Sequence, residues 1–349
     1  MRSKCLLLPA LLAGATLLSP PAARAEHEAP PPELAIPRAT AFTPWKGYVR
    51  VFGGQDDNPA VAGEESGYSG TKDSPYYGFV VQASWTKLNP TGWSGGVNGS
   101  IGRTFYTTGE AEGADDAPNE YNMTAFNPQA FAYRPFLVFG KPARLEASAD
   151  FRIESLEIEE ISGHHSRFIV NATSRPIPGL ALRAGFRMTS YDSEVEFPDE
   201  AEISQRDGMY KRIDIEGTYN VPKLRGRIHA MYERSNSDAD GPNFDYDGNL
   251  WKFRFDNRLA DNLWADLSVA KDARKYNEFV SNYLPSPGRK AVDILNGKAK
   301  LMWKFAPNWV ADVNIKTEKI DAETPTFRAK RKIGGVGLTY SFATGLGGR

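Results

Sequence analysis

Thiol chemistry is the first thing this sequence does without. Its 349 residues include one cysteine, Cys5, close to the start of the chain. Arg2 and Lys4 stand beside it, Cys5 to Leu18 is mostly apolar, and Ala23-Arg24-Ala25 is a small-x-small cleavage site. That pattern predicts a secretory signal peptide over 1–25. The chain left after cleavage begins at Glu26 and has no cysteine, which excludes disulfides and thiolate nucleophiles. Long apolar runs are also missing. Beyond the signal there is no stretch of about 18 apolar residues, hence no transmembrane helix. A sustained 3.6-residue period is absent too, which argues against a helical bundle. Neither sign of charge dominates, with 42 Lys and Arg against 43 Asp and Glu. Losing Arg2, Lys4 and Arg24 with the signal makes the balance only slightly more negative, and near neutrality argues against a nucleic-acid partner.

What the sequence does have is alternation. In Leu145–Glu154, Leu145, Ala147, Ala149, Phe151 and Ile153 fall on one face of an extended chain, and Glu146, Ser148, Asp150, Arg152 and Glu154 on the other. The same dyad returns in fourteen segments. The first half gives Trp45–Gly54, Tyr77–Lys87, Trp93–Phe105, Tyr121–Tyr133, Arg144–Ile158, Ser166–Arg175 and Leu180–Tyr191. The second half gives Tyr210–Val221, Arg225–Arg234, Leu250–Leu259, Leu263–Lys275, Asp293–Phe305, Trp309–Lys319 and Lys332–Phe342. Pro128, inside the fourth, predicts a broken ladder or a bulge.

Connections after even-numbered segments are short and turn-like, such as Pro178-Gly179, Pro222-Lys223-Leu224, Ala260-Asp261-Asn262 and Pro307-Asn308. Those after odd-numbered segments are mostly longer and polar, such as Gln55–Tyr76, Tyr106–Glu120, Asp192–Met209 and Tyr276–Val292. Alternating segments of about ten residues, with short turns at one end and long loops at the other, predict a transmembrane β-barrel. The expected fold is therefore all-β: one antiparallel, up-and-down barrel of about fourteen strands over 45–342, both termini periplasmic. A Pro-rich periplasmic tail over 26–44 precedes it, and a short tail over 343–349 follows. Aromatic residues make up 12% of the chain and recur at strand ends, where an interfacial girdle needs them.

In a barrel, function belongs to the inner face. Parity assigns Arg50, Arg152, Arg167, Arg183, Arg187, Arg212, Arg227, Lys252, Arg254, Lys298, Lys300 and Lys316 to the lumen. Opposing them are Glu146, Asp150, Glu154, Asp214, Glu216, Glu233, Asp256, Asp266 and Asp312, with His229 beside Arg227 and Glu233. Such a set forms cross-strand ion pairs. It also tunes the selectivity of a pore, and its basic excess predicts a preference for anions. Loop Ser235–Asn249, with Asp238, Asp240, Asn243, Asp245 and Asp247, spaces oxygens as a calcium loop does but lacks the closing bidentate Glu, and reads as a solvated acidic loop. His164 and His165 are adjacent on an extended chain and point to opposite faces, so they do not share a metal. No serine stands where His229 would activate it, and no acidic cluster surrounds a histidine at the rim. No catalytic residue, metal or cofactor is therefore assigned.

This architecture resembles the monomeric fourteen-stranded porins across the whole mature chain. Lys332–Phe342, with Ile333, Val336, Leu338, Tyr340 and Phe342, resembles the C-terminal strand by which outer-membrane proteins are recognised by the barrel assembly machinery, although seven residues follow Phe342 here. Gly53-Gly54-Gln55-Asp56-Asp57-Asn58 is similar to the first barrel strand of surface lipoprotein assembly modifiers, which carry helical repeats where this chain has its Pro-rich lead. The porin resemblance implies a Gram-negative outer-membrane channel for small polar or charged solutes, in contact with lipid and lipopolysaccharide. The second resemblance implies an alternative, an export or assembly barrel moving a polysaccharide or lipoprotein with a periplasmic partner on the 26–44 tail. A third reading is a structural barrel plugged by the Gln55–Tyr76 loop.

Overall fold

The computed structural model describes residues 45–58, 74–89, 92–107, 122–156, 163–193, 207–241, 244–277, 291–322 and 328–343. The expected signal peptide and Pro-rich tail, most of the longer connections and the last six residues lie outside them. Fourteen strands form one closed barrel in sequence order, every neighbour pair antiparallel. They are β1 (Lys46–Asp56), β2 (Ser74–Lys87), β3 (Ser94–Tyr106), β4 (Met123–Val138), β5 (Lys141–Leu156), β6 (Gly163–Ile177) and β7 (Leu180–Ser193). They continue as β8 (Gly208–Val221), β9 (Gly226–Ala239), β10 (Tyr246–Ala260), β11 (Leu263–Tyr276), β12 (Ala291–Ala306), β13 (Trp309–Ala322) and β14 (Ala329–Ala343). β1 pairs with β14 from Lys46↔Ala343 to Asp56↔Ile333, so both begin and end the barrel at one rim. Among the described residues no helix is long and apolar enough to cross a membrane. None is needed, because closing the sheet pairs every strand on both sides and leaves no edge.

The strands outrun the alternating segments at their loop ends. β9 continues through Ser235–Ala239 and β14 begins at Ala329, because backbone pairing persists where side chains turn polar. Pro128 breaks the ladder on one side only. It sits in register with Gly99 of β3, while towards β5 the bridges skip from Phe126↔Ile153 to Gln129↔Asp150 without a shift. Register shifts do occur beside three short turns, between Ser174 and Ile177, Arg258 and Ala260, and Lys304 and Ala306. The turn carbonyls of Gly179, Arg225, Asn262 and Asn308 accept N–H groups from Asn220, Arg258, Lys304 and Ser341 at 2.8–3.1 Å, tying each hairpin to the next around the rim.

One hairpin turn is not visible in the sequence. β4 and β5 join through Phe139-Gly140, with φ of 49° and 72°, the two positive values of a type I′ turn. Phe139 is fully exposed. Pairing of β4 with β3 stops at Tyr133, and pairing of β5 with β6 stops at Ala143, so this hairpin projects beyond its neighbours.

The outer face is apolar and exposed, as lipid requires. Val51, Phe79, Ile101, Phe253, Leu267, Val313 and Val336 all lie open on it. Rings bound the band at both ends. Tyr77 stacks on Phe105 at 5.0 Å towards the loop end, and Tyr232 meets Trp251 at 4.5 Å. Trp303, Phe305, Trp309 and Tyr340 form a chain of ring contacts towards the turn end. On β14, Ile333 departs from the expected apolar set. Its odd position puts it on the inner face with Arg331, opposite Val336 and Leu338.

Candidate functional site

The inner face carries clusters of ion pairs, most of them built across strands. Register sets the pattern, because residues opposite one another in an antiparallel pair share a face. Asp150 pairs with Arg167 in the ladder, and Arg167 Nε donates to both Asp150 oxygens at 2.8 and 2.9 Å. Arg183 lies opposite Glu216 and holds Glu216 and Asp214, each at 2.8 Å. Glu216 lies 3.4 Å from His229 Nδ1, and His229 Nε2 lies 2.6 Å from Asp256, which Arg227 also reaches at 2.8 Å. Arg254 joins Asp266 at 2.7 Å. Arg212 meets Glu233 at 3.2 Å, and Arg152 pairs with Glu154. Glu146 is held by Arg144 at the turn end.

Asp312 accepts from Arg50 at 2.9 Å and lies 3.7 Å from Lys300. Arg50 is on β1 and Asp312 on β13, so the pair spans the intervening β14. It does so across Gly337, where a Cβ would come within 2.8 Å of both side chains. Like charges also meet: Arg187 lies opposite Arg212, and Lys298 opposite Lys316. Lys252 faces Met231 and Ala270. The ladder thus puts the sequence-assigned residues on one face and links most of them into separate clusters of contacts. His164 and His165 part as their adjacency requires. His164 stacks on Phe151 outside, and His165 reaches Glu154 at 3.1 Å inside. Among the described residues no group of His, Cys, Asp and Glu is placed to hold a metal.

Three features escaped the sequence. The first is a clasp at the β1–β14 seam. Asp56 is fully buried and Arg331 3% exposed. Arg331 Nε donates to both Asp56 oxygens at 3.0 Å, and the Tyr106 hydroxyl donates to Asp56 at 3.2 Å. Beyond it Lys332 N–H donates to Asp57 at 2.6 Å, and Asn58 donates to the Lys330 carbonyl at 3.0 Å. Asp56 falls in what the sequence suggests is loop, and its partner lies 275 residues away. The second is an apolar patch inside the barrel at the loop end, where Tyr276, Val292, Ile294, Ile320, Ala322 and Ala329 cluster at 2–5% exposure. Their parity matches the lumen residues of the same strands, so the wall is not charged throughout. The third is an uncharged arc. On β2, β3 and β4 the charged residues Lys87, Arg103 and Arg134 all fall on the outer face, and the inner face carries amides, hydroxyls, small residues and rings.

No protein-family model matches the chain, and no curated protein matches it in sequence. Its structure is similar to a loop-deletion form of OmpT, an outer membrane protein of Vibrio cholerae, at 10% identity and a TM-score of 0.45, covering 87% of this chain and 100% of that one. It is similar to OccK9 of Pseudomonas aeruginosa at 11% identity and a TM-score of 0.42, covering 86% and 98%. It is also similar to an anion-selective porin from Comamonas acidovorans at 8% identity and a TM-score of 0.45, covering 85% and 98%.

Proposed function

We propose that this protein is a passive outer-membrane channel through which small polar or charged solutes cross along a charged lumen wall. The observation that carries the reading is the closed barrel of fourteen strands with ion-paired walls inside and apolar residues outside. Eight strands give an interior that side chains fill, and sixteen or more leave an aqueous channel; fourteen is close to the second case. Ion pairs between half-buried groups such as Arg183 and Glu216 belong to a wall that stays wet. The lysine-rich stretch Lys298, Lys300 and Lys316 on β12 and β13 adds positive potential, and anions are the favoured charge class.

On the outer face, exposed Lys211, Arg234, Lys271, Lys275, Lys330 and Lys332 stand beyond the apolar band at the loop end. That placement suits the anionic headgroups of an outer leaflet, with the turn end and both strand termini periplasmic. The test is single-channel recording of the refolded mature chain in a planar bilayer under a salt gradient, with heat-shifted gel mobility reporting folding. Steady open steps with an anion-directed reversal potential are expected. Folded but silent protein refutes the channel.

A further inference from the structure

The uncharged arc singles out three adjacent strands. Each of the other eleven strands carries at least one Asp, Glu, Lys or Arg on its inner face, whereas β2, β3 and β4 carry none among the described residues. In its place an amide ladder crosses the arc. Gln82 Nε2 donates to Asn98 Oδ1 at 3.1 Å, and Asn98 Nδ2 donates to Gln129 Oε1 at 3.4 Å. Asn127 lies opposite Ser100 in the next row.

Towards the turn end the ladder gives way to rings. Phe131 lies over Gly96, where a Cβ would come within 2.9 Å of its Cζ. Tyr133 continues the surface, its ring 6.5 Å from that of Phe131 and within 9° of parallel. The Arg144 guanidinium, on the charged side, sits 4.4 Å from the Tyr133 centroid and closes that end. All five of Gln82, Asn98, Gln129, Phe131 and Tyr133 are half-buried, so they are open to the lumen.

We propose that this arc is a binding track for neutral, polyhydroxylated solutes, that is, hexoses and short oligosaccharides. The inference rests on the channel reading and names its solute class. An amide side chain both donates and accepts, which is what a pair of neighbouring hydroxyls requires. A ring lying flat on the wall offers its face to the C–H face of a pyranose, an apolar contact beside polar ones. An arc without charge offers ions no binding partner, while the opposite arc holds them. Charged and neutral solutes therefore travel on different sides of one lumen.

The test adds maltohexaose to one side of a bilayer holding open channels, with a polyethylene glycol of matched size as the non-binding comparison. Maltohexaose is expected to give resolved current blockades that the polymer does not. Their half-blocking concentration rises roughly three- to tenfold in Phe131→Ala. Gln129→Glu, nearly isosteric, should weaken the block by a similar factor and carries the test if Phe131→Ala fails to fold. An open pore that treats sugar and polymer alike, or a block unchanged in both variants, overturns the track and leaves the channel standing. Silence of the folded wild-type protein overturns both.

Discussion

Breaking the Asp56–Arg331 pair, here by replacing Asp56 with alanine, should cost more stability than breaking any other ion pair among the described residues. The carboxylate has no exposed surface, and Arg331 keeps only 3% of its own, so the mutation leaves a guanidinium buried at the seam without its main partner. Breaking a buried pair from one side typically costs about 3–5 kcal/mol, most of it the penalty of the stranded charge. Glu318 lies opposite Arg331 in the β13–β14 ladder and is itself buried, so it takes up part of that charge. We therefore set the expectation near the low end, about 3 kcal/mol, or roughly a hundredfold in the folding equilibrium. Arg331→Met alone strands Asp56 instead, and Tyr106 and backbone donors relieve less of a carboxylate. The double variant Asp56→Ala with Arg331→Met should recover most of the loss, because removing both charges removes the stranded one. The assay is urea unfolding from phospholipid vesicles, followed by tryptophan fluorescence and heat-shifted mobility. A single variant within about 1 kcal/mol of wild type, or a double variant as unstable as the worse single, refutes the reasoning.

Three further outcomes are open to the same methods. Gly96→Ala puts a Cβ 2.1 Å from the Trp85 carbonyl oxygen, so the backbone must move; a loss of about 1–3 kcal/mol is expected, and an unchanged urea midpoint would contradict the close approach. Phe139→Asn should raise stability by about 1 kcal/mol, since a bulky L-residue at φ 49° pays the left-handed cost that asparagine largely escapes; a lower midpoint would mean the exposed ring holds something. Lys298→Glu combined with Lys316→Glu reverses the facing positive pair and should move the reversal potential towards cations, whereas an unmoved potential would place the selectivity elsewhere in the lumen.

The strands were legible because a period of two is written into most of them, and parity alone separates Trp251, Phe253 and Phe255 from Lys252, Arg254 and Asp256. The closed ring follows once turns and loops alternate. What parity does not carry is register. That His229 sits between Glu216 and Asp256 depends on how β8, β9 and β10 slide past one another, and no single strand encodes it. The Phe139-Gly140 turn hid inside a connection that the sequence leaves between Tyr133 and Arg144, because Phe136, Leu137 and Val138 continue the strand past Tyr133 and the left-handed residue is an aromatic rather than asparagine or aspartate. The inner apolar patch hid for a related reason. Val292, Ile294 and Ile320 look lipid-facing by composition, and only their shared parity with Lys298, Lys300 and Lys316 turns them inward.

The seam between β1 and β14 also sets an order of events. Every other strand pair is a neighbour along the chain, whereas Asp56 and Arg331 are 275 residues apart. Closing that span costs about 2.5 kcal/mol more chain entropy than closing a hairpin of about fifteen residues. The ring therefore zips up last, and until it does, two long strands stand with open edges. Contacts made after the folding barrier slow unfolding without hastening folding. The Asp56–Arg331 clasp is such a contact: a lock on a finished barrel, whose loss would appear as faster opening while the rate of assembly stays the same.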